Sequence, residues 1–134
     1  VQKSFLTYVA CVVEVAKDAN GALQIPVVHY AVDCGVPVNT DRIRSQFEGG
    51  AQFATSLCLT GINFENGQVK ENNFDGYSVI RMPQSPKKIH VHIIDSAEKP
   101  TGVGEPPVPP FIPALCNAVY KLTGNRVYEL PLKL

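Results

Sequence analysis

The chain has 134 residues, a mass of 14.6 kDa, and 12 basic against 12 acidic side chains. That is enough for one hydrophobic core and too little for two large ones. Zero net charge argues against a domain that binds nucleic acid by neutralising phosphates and against a polybasic membrane anchor. No apolar run approaches the roughly 18 residues that would suggest a membrane span.

Charged residues make up 18% of the chain, below the usual ~25%. This predicts that part of the surface faces other protein. The first residue is Val1, not Met, and no signal-like segment precedes the first apolar stretch, so the sequence reads as a processed product or a domain cut from something longer. Cys11, Cys34, Cys58 and Cys116 are too widely spaced for a C-x-x-C pair or a zinc ribbon. They read as buried small hydrophobes. Two disulfides stay open for an oxidising compartment.

Phe5 to Ala16 is rich in valine and aromatics and predicts a strand. The polar turn Lys17 to Gly21 carries Asn20-Gly21, a hairpin signal. Leu23 to Asp33 is the second strand. Cys34-Gly35-Val36-Pro37 ends that pairing, and Asn39, Thr40 and Asp41 form a helix-start cluster. Ile43, Phe47, Ala51, Ala54 and Cys58 recur at steps of three or four, which predicts a helix over Asp41 to Leu59, stopped by Gly61. Gly49-Gly50 costs that helix roughly 1–2 kcal/mol relative to alanine. Close approach of another backbone or of a ligand is expected to offset the cost.

Asn66-Gly67 marks a second hairpin, and Phe74 to Met82 is a loop or short strand. Lys88 to Asp95 alternates and predicts a strand. Six of the 11 prolines fall between Pro100 and Pro113, so Lys99 to Pro113 is read as neither a central strand nor a helix interior. A helix is expected from Ala114 to Leu122 with Gly124 as its stop, then a last short strand over Arg126 to Leu130. The result is an α+β fold: one domain over 1–134, with a mixed sheet and about two helices.

Three segments could carry chemistry. In Gly102-Val103-Gly104-Glu105-Pro106-Pro107, two glycines allow close backbone approach and the prolines behind them stiffen the loop. A carboxylate held on such a loop before a helix is pre-organised as a general base should be. The plain alternative is a connector with a solvated glutamate. In Gln46-Phe47-Glu48-Gly49-Gly50, an amide one turn before helix glycines suits packing on a polar ligand, or a helix–helix contact that needs small residues. His90-x-His92 places two imidazoles on one face of a strand, where they could bind a metal, although no third ligand is near in sequence. His29 reads as structural. Gly102-x-Gly104 lacks the third glycine of a dinucleotide fingerprint.

Taken in order, five sets of residues resemble one family. They are Ala31-Val-Asp-Cys-Gly35 with Val38-Asn39; Gln46-Phe-Glu-Gly-Gly50; Asn73-Phe74 with Tyr77; Gly102-Val-Gly-Glu-Pro106; and Pro113-Ala-Leu-Cys-Asn-Ala118 with Thr123-Gly124, Arg126 and Leu130-Pro131. Together they resemble the C-terminal part of the molybdenum-binding large subunit of the xanthine oxidase/aldehyde oxidoreductase family, and the isoquinoline 1-oxidoreductase β-subunit type most of all. Thr40 and Thr101 depart from the family's usual proline and glycine.

The resemblance implies a molybdenum hydroxylase that oxidises an N-heterocycle or an aldehyde, with water as oxygen source. Glu105 would be its general base, taking a proton from a hydroxyl on molybdenum. Gln46, Gly49, Gly50, Gly102 and Gly104 would bind the molybdenum–molybdopterin cofactor, in its plain or its cytosine dinucleotide form. No protein side chain is expected to ligate the metal. The implied partners are the remainder of the large subunit, an iron–sulfur small subunit and a small-molecule substrate, with no nucleic acid and no direct membrane span. The implied setting is a bacterial cytoplasm or periplasm. On this reading the isolated chain is an inactive fragment that holds no cofactor. Two alternatives stand beside it: a stand-alone binding or assembly domain of the same descent, and an unrelated metal module built on His90 and His92.

Overall fold

A computed structural model describes residues 1–133. In chain order it has β1 (Gln2–Ser4), β2 (Thr7–Lys17), β3 (Leu23–Asp33), α1 (Thr40–Leu59), β4 (Phe64–Glu65), β5 (Gln68–Val69), β6 (Lys88–Ile93) and α2 (Val108–Thr123). The main sheet has the order β1-β2-β3-β6, and with its two helices it is the expected α+β fold. No helix among the described residues is long and apolar enough to cross a membrane.

β2 and β3 pair antiparallel around the Asn20-Gly21 turn. Asp18 closes that turn by accepting from the backbone N–H groups of Asn20 (2.8 Å) and Ala22 (2.9 Å). β6 then joins β3 in parallel. A parallel neighbour cannot be reached by a tight turn and needs a crossover, which here contains α1. The register stacks three cross-strand rows on one face: Val9–Val32–Ile93, Cys11–Tyr30–Val91 and Val13–Val28–Ile89. Both helices cover this face. α1 contributes Ile43, Phe47, Ala51, Ala54 and Cys58, the spacing read from the sequence, and α2 contributes Phe111, Leu115 and Val119 to the same core. Asn39 caps α1 by accepting from the N–H of Arg42 at 2.9 Å, satisfying one of the N–H groups that a helix start leaves free.

Several expectations need correction. β2 begins at Thr7, because Phe5 and Leu6 form a tight turn that adds β1 to the sheet. Both turn residues have positive φ (50° and 67°), a strain of order 1–3 kcal/mol each for residues other than glycine. α2 begins at Val108, six residues before the expected Ala114. Its prolines at 109 and 110 fall in the first turn, where backbone N–H groups have no helical partner and nothing is lost. Pro113 forgoes one bond, and the buried stripe Phe111, Leu115, Val119 offsets it. Arg126 to Leu130 forms no strand. α1 is closed by Thr60, whose N–H and Oγ1 both donate to the Ser56 carbonyl, and Gly61 follows the cap. The β4–β5 hairpin and the left-handed stop at Gly124 (φ 76°) are as read.

All four cysteines are free thiols, with Cys34 and Cys58 buried. Burial pushes the Cys11 thiol up to about 12, partly countered by a hydrogen bond with Tyr30. Burial pushes Cys58 up to about 12 as well, with Cys116 adding to the shift. A raised folded-state value means that stability is fully present below the ordinary thiol value of 9.0 and is lost as pH rises toward 12, because unfolded thiols release protons that folded ones retain. Urea midpoints should therefore be level below about pH 9 and fall above it. Cys11 and Cys58 should resist alkylation at neutral pH until the protein is denatured, since the thiolate is the reactive form.

Candidate functional site

The Gly102–Pro107 loop leaves the sheet after β6 and leads into α2. Its approach is pinned to the end of β3. The Val36 N–H donates to the Glu98 carbonyl (2.9 Å), and the Thr101 N–H donates to the Cys34 carbonyl (2.9 Å). Gly35 makes this approach possible. Its φ is 71° and a Cβ there would strike the Lys99 carbonyl. The Asp33 carboxylate also accepts from the Gly35 N–H at 3.1 Å. Asp33-Cys34-Gly35 therefore does its work on the loop that carries Glu105, a role that the sequence pattern alone does not assign.

Two buried hydroxyls hold the loop itself. Thr7 Oγ1 lies 2.6 Å from the Gly102 carbonyl and 2.6 Å from Thr101 Oγ1. Tyr30 donates from its hydroxyl to the Pro107 carbonyl at 3.1 Å. Neither residue stands out by spacing in the sequence, since Thr7 and Tyr30 look like ordinary members of alternating strands. Between these anchors Glu105 is exposed. Its carbonyl accepts from the Val108 N–H (2.9 Å), while its carboxylate makes no hydrogen bond or ion pair among the described residues.

The Gln46–Gly50 segment of α1 meets the far end of this loop. A Cβ on Gly50 would stand 2.9 Å from Pro107 Cβ and closer still to its Cγ. The expected close approach is therefore real, and it falls on Gly50 alone. Gly49 has nothing within 4 Å of where a Cβ would be. Gln46 is exposed and lies one turn before Gly50 on the same helix face. Gly102 faces Phe5, whose Cβ is 3.4 Å from its own missing Cβ, and Gly104 is open. The structure thus brings Gly50 against Pro107, two places after Glu105, with Gln46 one turn before Gly50 on α1 and no neighbour at the missing Cβ of Gly49 or Gly104. The surface there is open. A cavity of about 740 Å³ lies instead between the β2–β3 turn and the C-terminal segment, lined by Leu23, Val119 and Tyr128 among others, and includes none of these residues.

His90 and His92 share one face of β6, and His29 joins them there. The His29 ring lies 4.9 Å from that of His90 and 5.9 Å from that of His92, with interplanar angles of 21° and 11°. Lone pairs in near-parallel rings do not converge on one ion. Among the described residues, no group of three or more His, Cys, Asp or Glu is arranged to hold a metal.

The absence of Cβ at Gly50 and Gly49 has opposite consequences. Gly50→Ala must displace Pro107 and should lower stability by about 1–3 kcal/mol, the usual cost of overpacking. Gly49→Ala meets open space and should raise stability by up to about 1 kcal/mol through helix propensity. Thermal denaturation of the two variants checks both signs.

The family model of the molybdopterin cofactor-binding domain matches residues 2–86, a span that contains Gln46, Gly49 and Gly50 and stops short of Glu105. Isoquinoline 1-oxidoreductase subunit beta of Brevundimonas diminuta is 31% identical over 86% of this chain, which corresponds to 15% of that protein. The membrane-bound aldehyde dehydrogenase (pyrroloquinoline-quinone) of Gluconacetobacter polyoxogenes is 28% identical over 98% of this chain and 17% of its own length. Among solved structures, the aldehyde oxidoreductase of Desulfovibrio gigas superposes with a TM-score of 0.77 at 26% identity, covering 93% of this chain and 14% of that one. The chain spans between 11% and 17% of the length of the curated relatives it matches.

Proposed function

The chain belongs to the molybdopterin cofactor-binding domain family within the xanthine oxidase group of oxidoreductases, and from that premise we propose that it forms one wall of a molybdenum hydroxylase active site with Glu105 as general base. The observation that carries this reading is the placement of Glu105. Its carboxylate is exposed and has no partner among the described residues, on a loop whose backbone is anchored on both sides and packs through Pro107 against Gly50 of α1. A base needs a free carboxylate, and this arrangement carries one on an anchored stretch of backbone.

The residues present fit the cofactor's needs. Gly49 and Gly104 both open onto free space, with nothing within 4 Å of where a Cβ would be, so neither obstructs a group approaching the backbone there. Gln46 offers an amide that can donate and accept toward polar atoms of a pterin. Gly50 acts through Pro107, holding the base loop against α1, and Gly102 acts through its carbonyl on Thr7. When bound, the molybdenum–molybdopterin group supplies the two-electron oxidation chemistry that no side chain can. Glu105 accepts the proton released as water's oxygen is transferred to an electron-poor carbon of an N-heterocycle or an aldehyde.

The open character of the site supports the further reading that the rest of a longer large subunit forms the opposite wall, with an iron–sulfur subunit as electron acceptor. So does the exposed apolar surface, which includes Phe5, Leu6, Phe53 and Phe74. Isolated, the domain should lack turnover.

In a full-length subunit carrying this domain, Glu105→Gln should lower turnover by about 10²–10⁴-fold, the range for a lost general base. Molybdenum content, measured by metal analysis, should stay at the wild-type level. Near-normal turnover with full molybdenum loading would remove Glu105 from this role.

A further inference from the structure

Among the described residues the Glu105 carboxylate has no hydrogen bond or ion pair to orient it, so the backbone on either side is what sets the point from which it projects. Thr7 is fully buried on β2. Its Oγ1 is within 2.6 Å of both the Gly102 carbonyl and the Thr101 hydroxyl. A hydroxyl has one proton to give, and a carbonyl can only accept. Thr7 therefore donates to Gly102, and Thr101 must donate to Thr7. Each proton in this short chain has one possible place.

At the other end Tyr30, fully buried on β3, donates to the Pro107 carbonyl at 3.1 Å. The Tyr30 ring cannot shift freely, because the edge contact with Phe47 (5.2 Å between centroids, 82° between planes) fixes it. Phe47 is the chain neighbour of Gln46, so one side chain ties the base loop to the helix segment proposed to meet the cofactor. Between the anchors run Val103, Gly104, Glu105 and Pro106. In that interval the Glu105 carbonyl is held by Val108, and Gly104 has open space around it. Without the anchors, a glycine-containing span of this kind has no reason to keep one conformation.

We infer that Thr7 and Tyr30 are positioning residues for the general base: they clamp the two carbonyls that bracket Glu105 and so fix the backbone from which its carboxylate projects. This rests on the reading of Glu105 as base. Thr7 and Tyr30 touch neither substrate nor cofactor in this scheme and act through the loop.

The test uses a full-length subunit carrying this domain. Thr7→Val keeps the volume and removes the donor, Thr7→Ser keeps the donor, and Tyr30→Phe removes the second anchor. Thr60→Val serves as control, because it also deletes a hydroxyl that donates to a backbone carbonyl, that of Ser56, at the end of α1. The readouts are kcat, KM, molybdenum content and hydrogen–deuterium exchange of the segment 102–108.

Thr7→Val and Tyr30→Phe should each lower kcat roughly tenfold or more, with KM and molybdenum content within about twofold of wild type. Exchange should speed up in segment 102–108 and stay unchanged elsewhere. Thr7→Ser should restore both readouts, and Thr60→Val should leave them at wild-type levels. Unchanged kcat in Thr7→Val overturns the inference, whether exchange accelerates or not. An equal loss in Thr60→Val overturns it too, by revealing general destabilisation. Should Tyr30→Phe not fold, the Thr7 series decides alone. Should Glu105→Gln retain turnover, the base reading falls first, while faster exchange in Thr7→Val would still show the clamp as a structural feature without a catalytic role.

Discussion

The notch that Gly50 leaves in α1 governs the arrangement of the site. Pro107 occupies it so closely that even a methyl group there would collide with the ring. The contact sets how near the two helices can come. It also sets where α2 starts, because Pro107 is the residue just before its first turn. Tyr30 reaches the same proline from the sheet. One residue thus joins the sheet, α1 and α2, and the exposed glutamate lies two positions before it. A helix with alanine at this point would be better by propensity alone, but it could not bring these three parts together.

The sheet is covered by helices on one face. Its other face carries Tyr8, Val12, His29, His90 and His92 across neighbouring strands. Parallel strand pairs are normally buried on both sides, and here the β3–β6 pair presents a row of stacked imidazoles instead. With the scattered exposed aromatics and the low proportion of charge, this describes a domain that buries one side on itself. The curated relatives it matches are about six to nine times as long.

Much of the fold is legible in the sequence where a local rule has no competitor. The Asn20-Gly21 and Asn66-Gly67 turns, the helix-start cluster Asn39 to Asp41 and the spacing of Ile43 through Cys58 all describe neighbours along the chain, and each appears as read. The errors come from non-local compensation. Proline at 109, 110 and 113 argues against a helix, yet α2 runs through all three, because two lie where no bond is lost and Phe111, Leu115 and Val119 bury themselves fully. Phe5 and Leu6 read as strand because they are apolar, yet they form a turn that no rule of turn chemistry favours. At the site, Glu105 and Gln46 are visible as segments, and the doubled glycine announces a close approach. What local pattern cannot convey is that Gly49 and Gly50 have different neighbours, or that Thr7 and Tyr30 reach across the chain to the same loop. Nor can it convey that His29 stacks on both other histidines, since strand pairing across α1 cannot be read from neighbours in the chain.

The parallel pairing of β3 with β6 also bears on how the domain is assembled. The β2–β3 hairpin closes a short turn, and α1 needs only contacts along its own length. β6 can add to β3 only after the segment 34–87 has been brought round, and such closure carries an entropy cost before any contact rewards it. Topology therefore favours an order in which the hairpin and α1 come first and β6 afterwards. The Glu105 loop follows β6 and depends on Cys34, Thr7 and Tyr30 already being in place. By the same topology, the loop that carries Glu105 docks late, onto anchors that β2 and β3 supply.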